Sequence, residues 1–178
     1  MTFWESALSA SIGAFIGFIG ALIIFFIKEI WQQKIRTTST VKNLKMELAY
    51  NINLYEKCEK SVQECIEAIS NGSRSLYLKL DYNFVGVFFA TQFYQSGLLL
   101  KYFHPEDMRR WNVMLNQIGA GADAHVANCV KQWREEEDIK QETVYNALKH
   151  EKSQISYAKE MSEYILAKLP LKGVEINL

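Results

Sequence analysis

Between Glu5 and Lys28 the chain runs for 22 residues, SALSASIGAFIGFIGALIIFFI, without a single charge. Coiled as a helix at 1.5 Å per residue, such a run is about 33 Å long, enough to cross a hydrocarbon core of about 30 Å. A secretory signal opens on basic residues and has a shorter apolar stretch. This chain opens on Met-Thr-Phe-Trp-Glu, with no basic residue. A buried core helix would show a polar face, and this run offers only three serines. The reading is therefore a transmembrane helix. Its flanks orient it. Glu5 precedes it, whereas Lys28, Lys34, Arg36, Lys42 and Lys45 follow against Glu29. Positive residues stay on the cytoplasmic side. The expectation is a single pass through a bacterial inner membrane, with the N-terminus outside and everything after the span in the cytoplasm. Trp4 and Trp31 bracket the span as interfacial anchors do.

The apolar run is sorted by side-chain size. At 100° per residue, Ser6, Ser9, Ala10, Gly13, Ala14, Gly17, Gly20 and Ala21 fall within an arc of about 140°. Leu8, Ile12, Phe15, Ile19, Leu22 and Phe26 fall opposite. Lipid accepts leucine on any face, so an anchor gains nothing from this sorting. Small residues at four-residue spacing mark places where membrane helices approach closely. The series Ser9-Gly13-Gly17-Ala21 is of that kind, and we expect the helix to self-associate. If several copies ring a lumen, Ser6, Ser9, Gly13, Gly17, Gly20 and Ala21 pack the contacts or line the pore. Glu5 then stands at the outer mouth, and Lys28 and Gln32 at the inner one. A packed dimer or trimer without a lumen fits the same pattern.

The remainder reads as helices. The chain holds 2 Pro and 9 Gly among 178 residues, so it is poor in turn formers. Its 20 basic and 20 acidic residues balance. That argues against a dedicated nucleic-acid binder, and direct DNA binding is not expected. Lys28–Arg36 continues the membrane helix, and Thr37–Thr40 reads as a pause or N-cap. Val41, Leu44, Leu48, Ile52, Tyr55, Cys58, Val62, Cys65 and Ile69 then repeat at spacings of three and four, a helical stripe closed by Asn71-Gly72. Residues 82–100 form a second uncharged run containing Asn83, Thr91, Gln92, Gln95 and Ser96. These polar side chains are costly in lipid. We read the run as a buried central helix with its Phe and Tyr side chains in the core, a second span being the alternative. His104-Pro105-Glu106-Asp107 starts a helix, with Met108, Trp111, Leu115 and Ile118 inward. Gly119–Asp123 interrupts the pattern, and Val126, Val130 and Trp133 resume it. The charged Arg134–Asp138 run reads as a solvated face or turn. Val144, Leu148, Ile155, Ala158, Met161 and Ile165 mark a last long helix ending before Pro170. This makes three parts: 1–36, the membrane helix and its extension; 37–170, a bundle of four or five mostly long helices; and 171–178, a short tail.

Catalytic motifs are missing: the sequence has no GxxxxGK[ST], CxxC, HExxH or GxSxG. Cys58, Cys65 and Cys129 are expected as free core thiols. His104, His125 and His150 have no partners at metal-ligand spacing, so neither a metal nor a cofactor is expected. All-α HEPN ribonucleases use an R-x(4–6)-H pair. None of Arg36, Arg74, Arg109, Arg110 or Arg134 has a His at that distance downstream. The nearest degenerate form is Asn146 with His150, which lacks the cation that would steady a phosphorane charge. The expectation is a HEPN-like shape that is not an enzyme.

In layout, with the SALSASIGAFIGFIGALIIFFIKEIW span, the FFATQFYQSGLLL segment and the degenerate pair, the chain resembles the small membrane accessory proteins of type VI-B CRISPR systems. The resemblance implies an antiphage effector. Such proteins form a homo-oligomeric ring and pore in the inner membrane, act with an RNA-guided RNA nuclease or its RNA products, and depolarise the infected cell. A ring needs at least about five helices of about 10 Å diameter to leave a lumen, and about eight, an octamer, is our expectation. Two other classes remain: a non-conducting membrane-anchored adaptor, and a membrane-tethered HEPN-type ribonuclease.

Overall fold

The structure is a computed structural model that describes residues 3–118, 123–135 and 138–170, with side chains described from Ser11 onward except at Leu99. Among the described residues all regular structure is helical. Six α-helices follow one another: α1 (Phe3–Ser70), α2 (Phe88–Gln95), α3 (Leu99–Tyr102), α4 (Pro105–Gln117), α5 (Ala124–Arg134) and α6 (Gln141–Lys168). A single 3-10 turn, Tyr82–Phe84, precedes α2. The chain divides into two compact units between Ser39 and Thr40, and α1 contributes to both.

In the first unit, one helix is long and apolar enough to cross a membrane. Every residue from Ile12 to Ile19 and from Ala21 to Arg36 is exposed. The helix passes straight through Thr37–Thr40, where the sequence suggests a pause. Threonine and serine lower helix propensity by well under about 1 kcal/mol each, too little to break a helix that continues strongly on both sides.

The second unit, Thr40–Leu171, has its own core. Eight of the nine residues in the predicted α1 stripe are buried; Ile52 is half-exposed, and Asn51 and Leu54 go inward instead. On α6 all six predicted residues are buried. The two helices run antiparallel, as their polar contacts show. Lys45 donates to the Pro170 carbonyl (2.6 Å), Lys159 pairs with Glu56 (3.0 Å), and Ser156 donates to Glu59 (2.9 Å). Lys152 donates to Gln63 (2.9 Å), and Gln141 donates to the Ile69 carbonyl (2.6 Å). Gly72, at φ +72°, closes α1: its N–H meets the Ile69 carbonyl while Ser73 N–H meets that of Ala68, the double bond of a Schellman cap.

Helices α4 and α5 pack on α6. Pro105 opens α4 with His104 as N-cap, and Asp107 receives the His104 N–H, the Tyr164 hydroxyl (3.0 Å) and the Lys168 ammonium (3.0 Å). Trp111, Met114 and Ile118 are its buried face, while Met108 and Leu115 are half-exposed. On α5, Val126, Cys129, Val130 and Trp133 point inward. Residues 119–122 of the interruption expected over Gly119–Asp123, the tail 171–178 and part of the Arg134–Asp138 run lie outside the described residues.

The expected central helix over 82–100 is corrected. The segment is a 3-10 turn, α2 of 8 residues, a turn through Gly97 (φ +72°) and the single turn α3. Phe93, Phe103 and Ala90 are buried, but Phe84, Phe88, Tyr94 and Leu100 are exposed. A helix there would need to carry Gly86 and Gly97 in its interior at about 1 kcal/mol each. It would also forgo the side-chain partners that hold the broken form. The bundle thus has two long helices rather than mostly long ones.

Candidate functional site

Two places stand apart from simple core packing: the small-residue face of α1, and the polar contacts that fix residues 82–90.

On α1, Gly13 and Gly17 are exposed and Gly20 is half-exposed; a Cβ built on any of the three meets nothing within 4 Å. Ala21, Lys28 and Gln32 are exposed. The side chains of Glu5, Ser6 and Ser9 lie outside the described residues, although their backbone belongs to α1. The four-residue spacing therefore leaves shallow grooves between turns, flanked by exposed Ile16, Ile24 and Phe25. A helix with small residues on one face can take another backbone at close range there.

The second place is not visible as a sequence motif. Glu47 and Asn51 sit one turn apart on α1, buried beside Leu44, Leu48 and Tyr55. Asn51 clasps Gly86 on both sides: its amide donates to the Gly86 carbonyl (2.7 Å) and its Oδ1 accepts the Gly86 N–H (2.8 Å). The two Glu47 oxygens accept the N–H groups of Phe89 and Ala90, each at 2.8 Å. These are free amides of the first turn of α2, whose own N-cap, Val87, has no side chain able to cap. A carboxylate from another element supplies that role and meets the positive end of the helix dipole. Gly86 is required because a Cβ there would stand 2.9 Å from Glu47 Cγ. The apolar pattern of the sequence places Ile52 on the inner face. The available signal for the polar pair is Asn51, three residues after Leu48 and four before Tyr55.

Below this clasp, the buried Tyr82 hydroxyl donates to Glu151 of α6. Burial pushes the Glu151 carboxyl above the usual carboxylate range, and the Tyr82 hydrogen bond partly offsets it. The same burial drives the Tyr82 phenol upward, and its bond to Glu151 adds to that. Asp123, His125 and His150 lie within electrostatic reach of Glu151. His125 Nε2 stands 3.9 Å from Cys129 Sγ. Burial likewise raises the Cys58 and Cys65 thiols, which keeps them protonated and weakly nucleophilic. All three cysteines are free and buried. Among the described residues no group of three His, Cys, Asp or Glu side chains is placed to hold a metal. Asn146 and His150 lie one turn apart on α6, and both are exposed. No arginine contact to either is found among the described interactions. The cluster around Glu151 is thus a set of structural polar contacts with two exposed histidines at its edge.

No protein-family model, curated protein or solved structure matches the chain.

Proposed function

We propose that the chain is the subunit of an oligomeric membrane pore in the bacterial inner membrane, with its N-terminus outside and the second unit in the cytoplasm. One observation carries the reading. The apolar helix is exposed from Ser11 to Ile27, only Gly20 being half-exposed, and its three glycines open onto empty space on a single face. Lipid satisfies the bulky faces; another copy of the helix satisfies the small one. The lysines and arginine that follow the span support the orientation. Within this reading the second unit serves assembly rather than catalysis, and Asn146 with His150 does no chemistry. The role as an antiphage effector that depolarises the cell alongside an RNA-guided RNA nuclease rests on the family resemblance.

The test is ion flux from liposomes carrying the full-length protein. The wild-type chain should conduct. Gly13→Leu with Gly17→Leu should stop conduction while the chain remains in the membrane fraction after alkaline extraction, because leucine favours insertion. No flux from the wild-type chain refutes the pore and leaves an anchor; flux unchanged by the double substitution refutes the small-residue face as its packing seam.

A further inference from the structure

Lys28 and Lys34, just past the apolar span, have no counter-charge on their own helix. Ion pairs along a helix form between residues three or four apart. Those positions around Lys28 are Ile24, Phe25, Trp31 and Gln32, and around Lys34 they are Ile30, Trp31, Thr37 and Thr38. None is acidic. Neither lysine takes part in an ion pair among the described residues. Farther along α1 the pattern differs: Lys60 has Glu64 one turn on, at 3.9 Å. The imbalance is also regional. Lys28, Lys34, Arg36, Lys42 and Lys45 stand against Glu29 alone, in a chain whose 20 basic and 20 acidic residues balance. The rest of the chain is therefore acidic on balance.

Position and direction narrow the missing counter-charge. Every residue from Lys28 to Arg36 is exposed. Lys28 and Arg36 are about 12 Å apart along the helix axis, and the headgroup layer beyond a hydrocarbon core is about 5–8 Å deep. The long stems of lysine and arginine reach back toward that layer. At 100° per residue, Arg36 lies about 80° around the helix from Lys28, and Lys34 about 120° from it the other way. The three cations therefore surround the helix. A helix lying in the interface puts its cations on one side and its apolar residues on the other. Here exposed Ile30, Trp31 and Ile35 alternate with the cations, which suits a helix crossing the layer upright. A neighbouring copy that covers one of these directions leaves the others to lipid.

We infer that this stretch binds the phosphate groups of anionic phospholipids, with Lys28, Lys34 and Arg36 as its contacts, and gathers such lipids around the helix. The inference rests on the membrane span proposed above and needs no lumen. Charge complementarity names the occupant. The phosphate of a zwitterionic lipid carries its own ammonium group, which repels a lysine. An anionic lipid leaves its phosphate charge for the protein, and basic residues next to a span are drawn to such a surface. The acidic balance of the rest of the chain is repelled by the same surface, so the attraction is confined to the exit of the span.

The experiment places the full-length protein in liposomes of equal parts phosphatidylcholine and phosphatidylglycerol. One lipid or the other is brominated near the headgroup end of its acyl chains, so that it quenches a nearby indole. The emission missing from a Trp31→Phe chain is that of Trp31. Near an anionic surface one basic residue is worth about a fivefold preference. Brominated phosphatidylglycerol should therefore quench Trp31 well beyond brominated phosphatidylcholine. Lys28→Gln with Lys34→Gln should lower the preference by about fivefold or more, and salt at about 1 M, which screens charges beyond about 3 Å, should do the same. Glu29→Gln should raise it. Lys149→Gln, exposed on α6, should leave it unchanged. Equal quenching by the two lipids in the wild-type chain, or a preference that survives the double substitution, overturns the inference and leaves the span standing. Trp31 quenched by neither lipid overturns both.

Discussion

The buried Glu47 carboxylate gives the sharpest test of the fold, because its contacts make opposite predictions for single and double substitutions. Glu47→Ala removes two hydrogen bonds from an ionised acceptor to the Phe89 and Ala90 amides. Bonds of that kind contribute about 1.5–3 kcal/mol each, and water reaching the start of α2 recovers part of the loss, so the expected cost is about 3 kcal/mol. For a chain of this size that corresponds to a fall in midpoint of about 6–12 °C. Gly86→Ala in the wild-type background places a Cβ 2.9 Å from Glu47 Cγ. The carboxylate is pinned by two amides and cannot swing away, so overpacking should cost about 1–3 kcal/mol. In the Glu47→Ala background there is no Cγ to meet. The backbone at Gly86 lies outside the left-handed region, so alanine there is tolerated and stiffens the unfolded chain by about 0.4–1 kcal/mol. The double variant should therefore be more stable than the sum of the single losses by about 2 kcal/mol. Thermal melts of the full-length protein, followed by the fluorescence of the buried Trp111 and Trp133, measure all three. Hydrogen exchange over residues 86–95 should accelerate in Glu47→Ala and stay unchanged over 144–165. Additivity within about 0.5 kcal/mol would refute the clasp as described.

Other consequences are as direct. Glu151 holds its proton more tightly in the folded chain than in the unfolded one, mainly through burial. Its contribution to stability is therefore full at acid pH and is lost as pH rises from the ordinary carboxylate range through its raised value. Melts across that window should fall more steeply for wild type than for Glu151→Gln. Tyr82→Phe removes the bond that holds the Glu151 value down and should move the end of the loss to higher pH; superimposable profiles would count against the Tyr82–Glu151 contact. Leu148 is completely buried on α6, so Leu148→Ala should cost about 2–5 kcal/mol, while Val113→Ala, on the exposed side of α4, should stay within about 0.5 kcal/mol. Comparable losses for the two by chemical denaturation would mean that α6 does not hold the core.

What the sequence reveals follows how the interactions are spaced. Burial on a long helix repeats every three or four residues, so Leu44, Leu48, Tyr55, Val62 and Ile69 on α1, and Val144 to Ile165 on α6, declare themselves. The closing turn at Asn71-Gly72 does so as well, since few residues adopt φ +72° easily. The segment 82–100 misleads because a run without charge need not be a buried one. Its fold is decided by partners 35 to 43 positions away in sequence, Asn51 to Gly86 and Glu47 to Phe89 and Ala90. No local period reports such contacts. The small-residue face of the apolar N-terminal helix is legible for the opposite reason: it depends on one helix alone.

Both polar side chains of the clasp come from the same helix that carries the apolar span, and this has a consequence for how the second unit is built. The core of that unit is a pair, α1 against α6, with α4 and α5 packed on α6 and the 82–90 segment fastened to α1. Helices that need only burial can be held by leucines and valines, which tolerate sliding and repacking at a modest cost. The 82–90 segment is held by directional bonds instead, and these admit one register. An apolar ridge exposed to water is a liability unless its position is useful, since large exposed apolar patches drive association. The clasp therefore fixes one orientation of the segment, with Phe84 and Phe88 toward solvent.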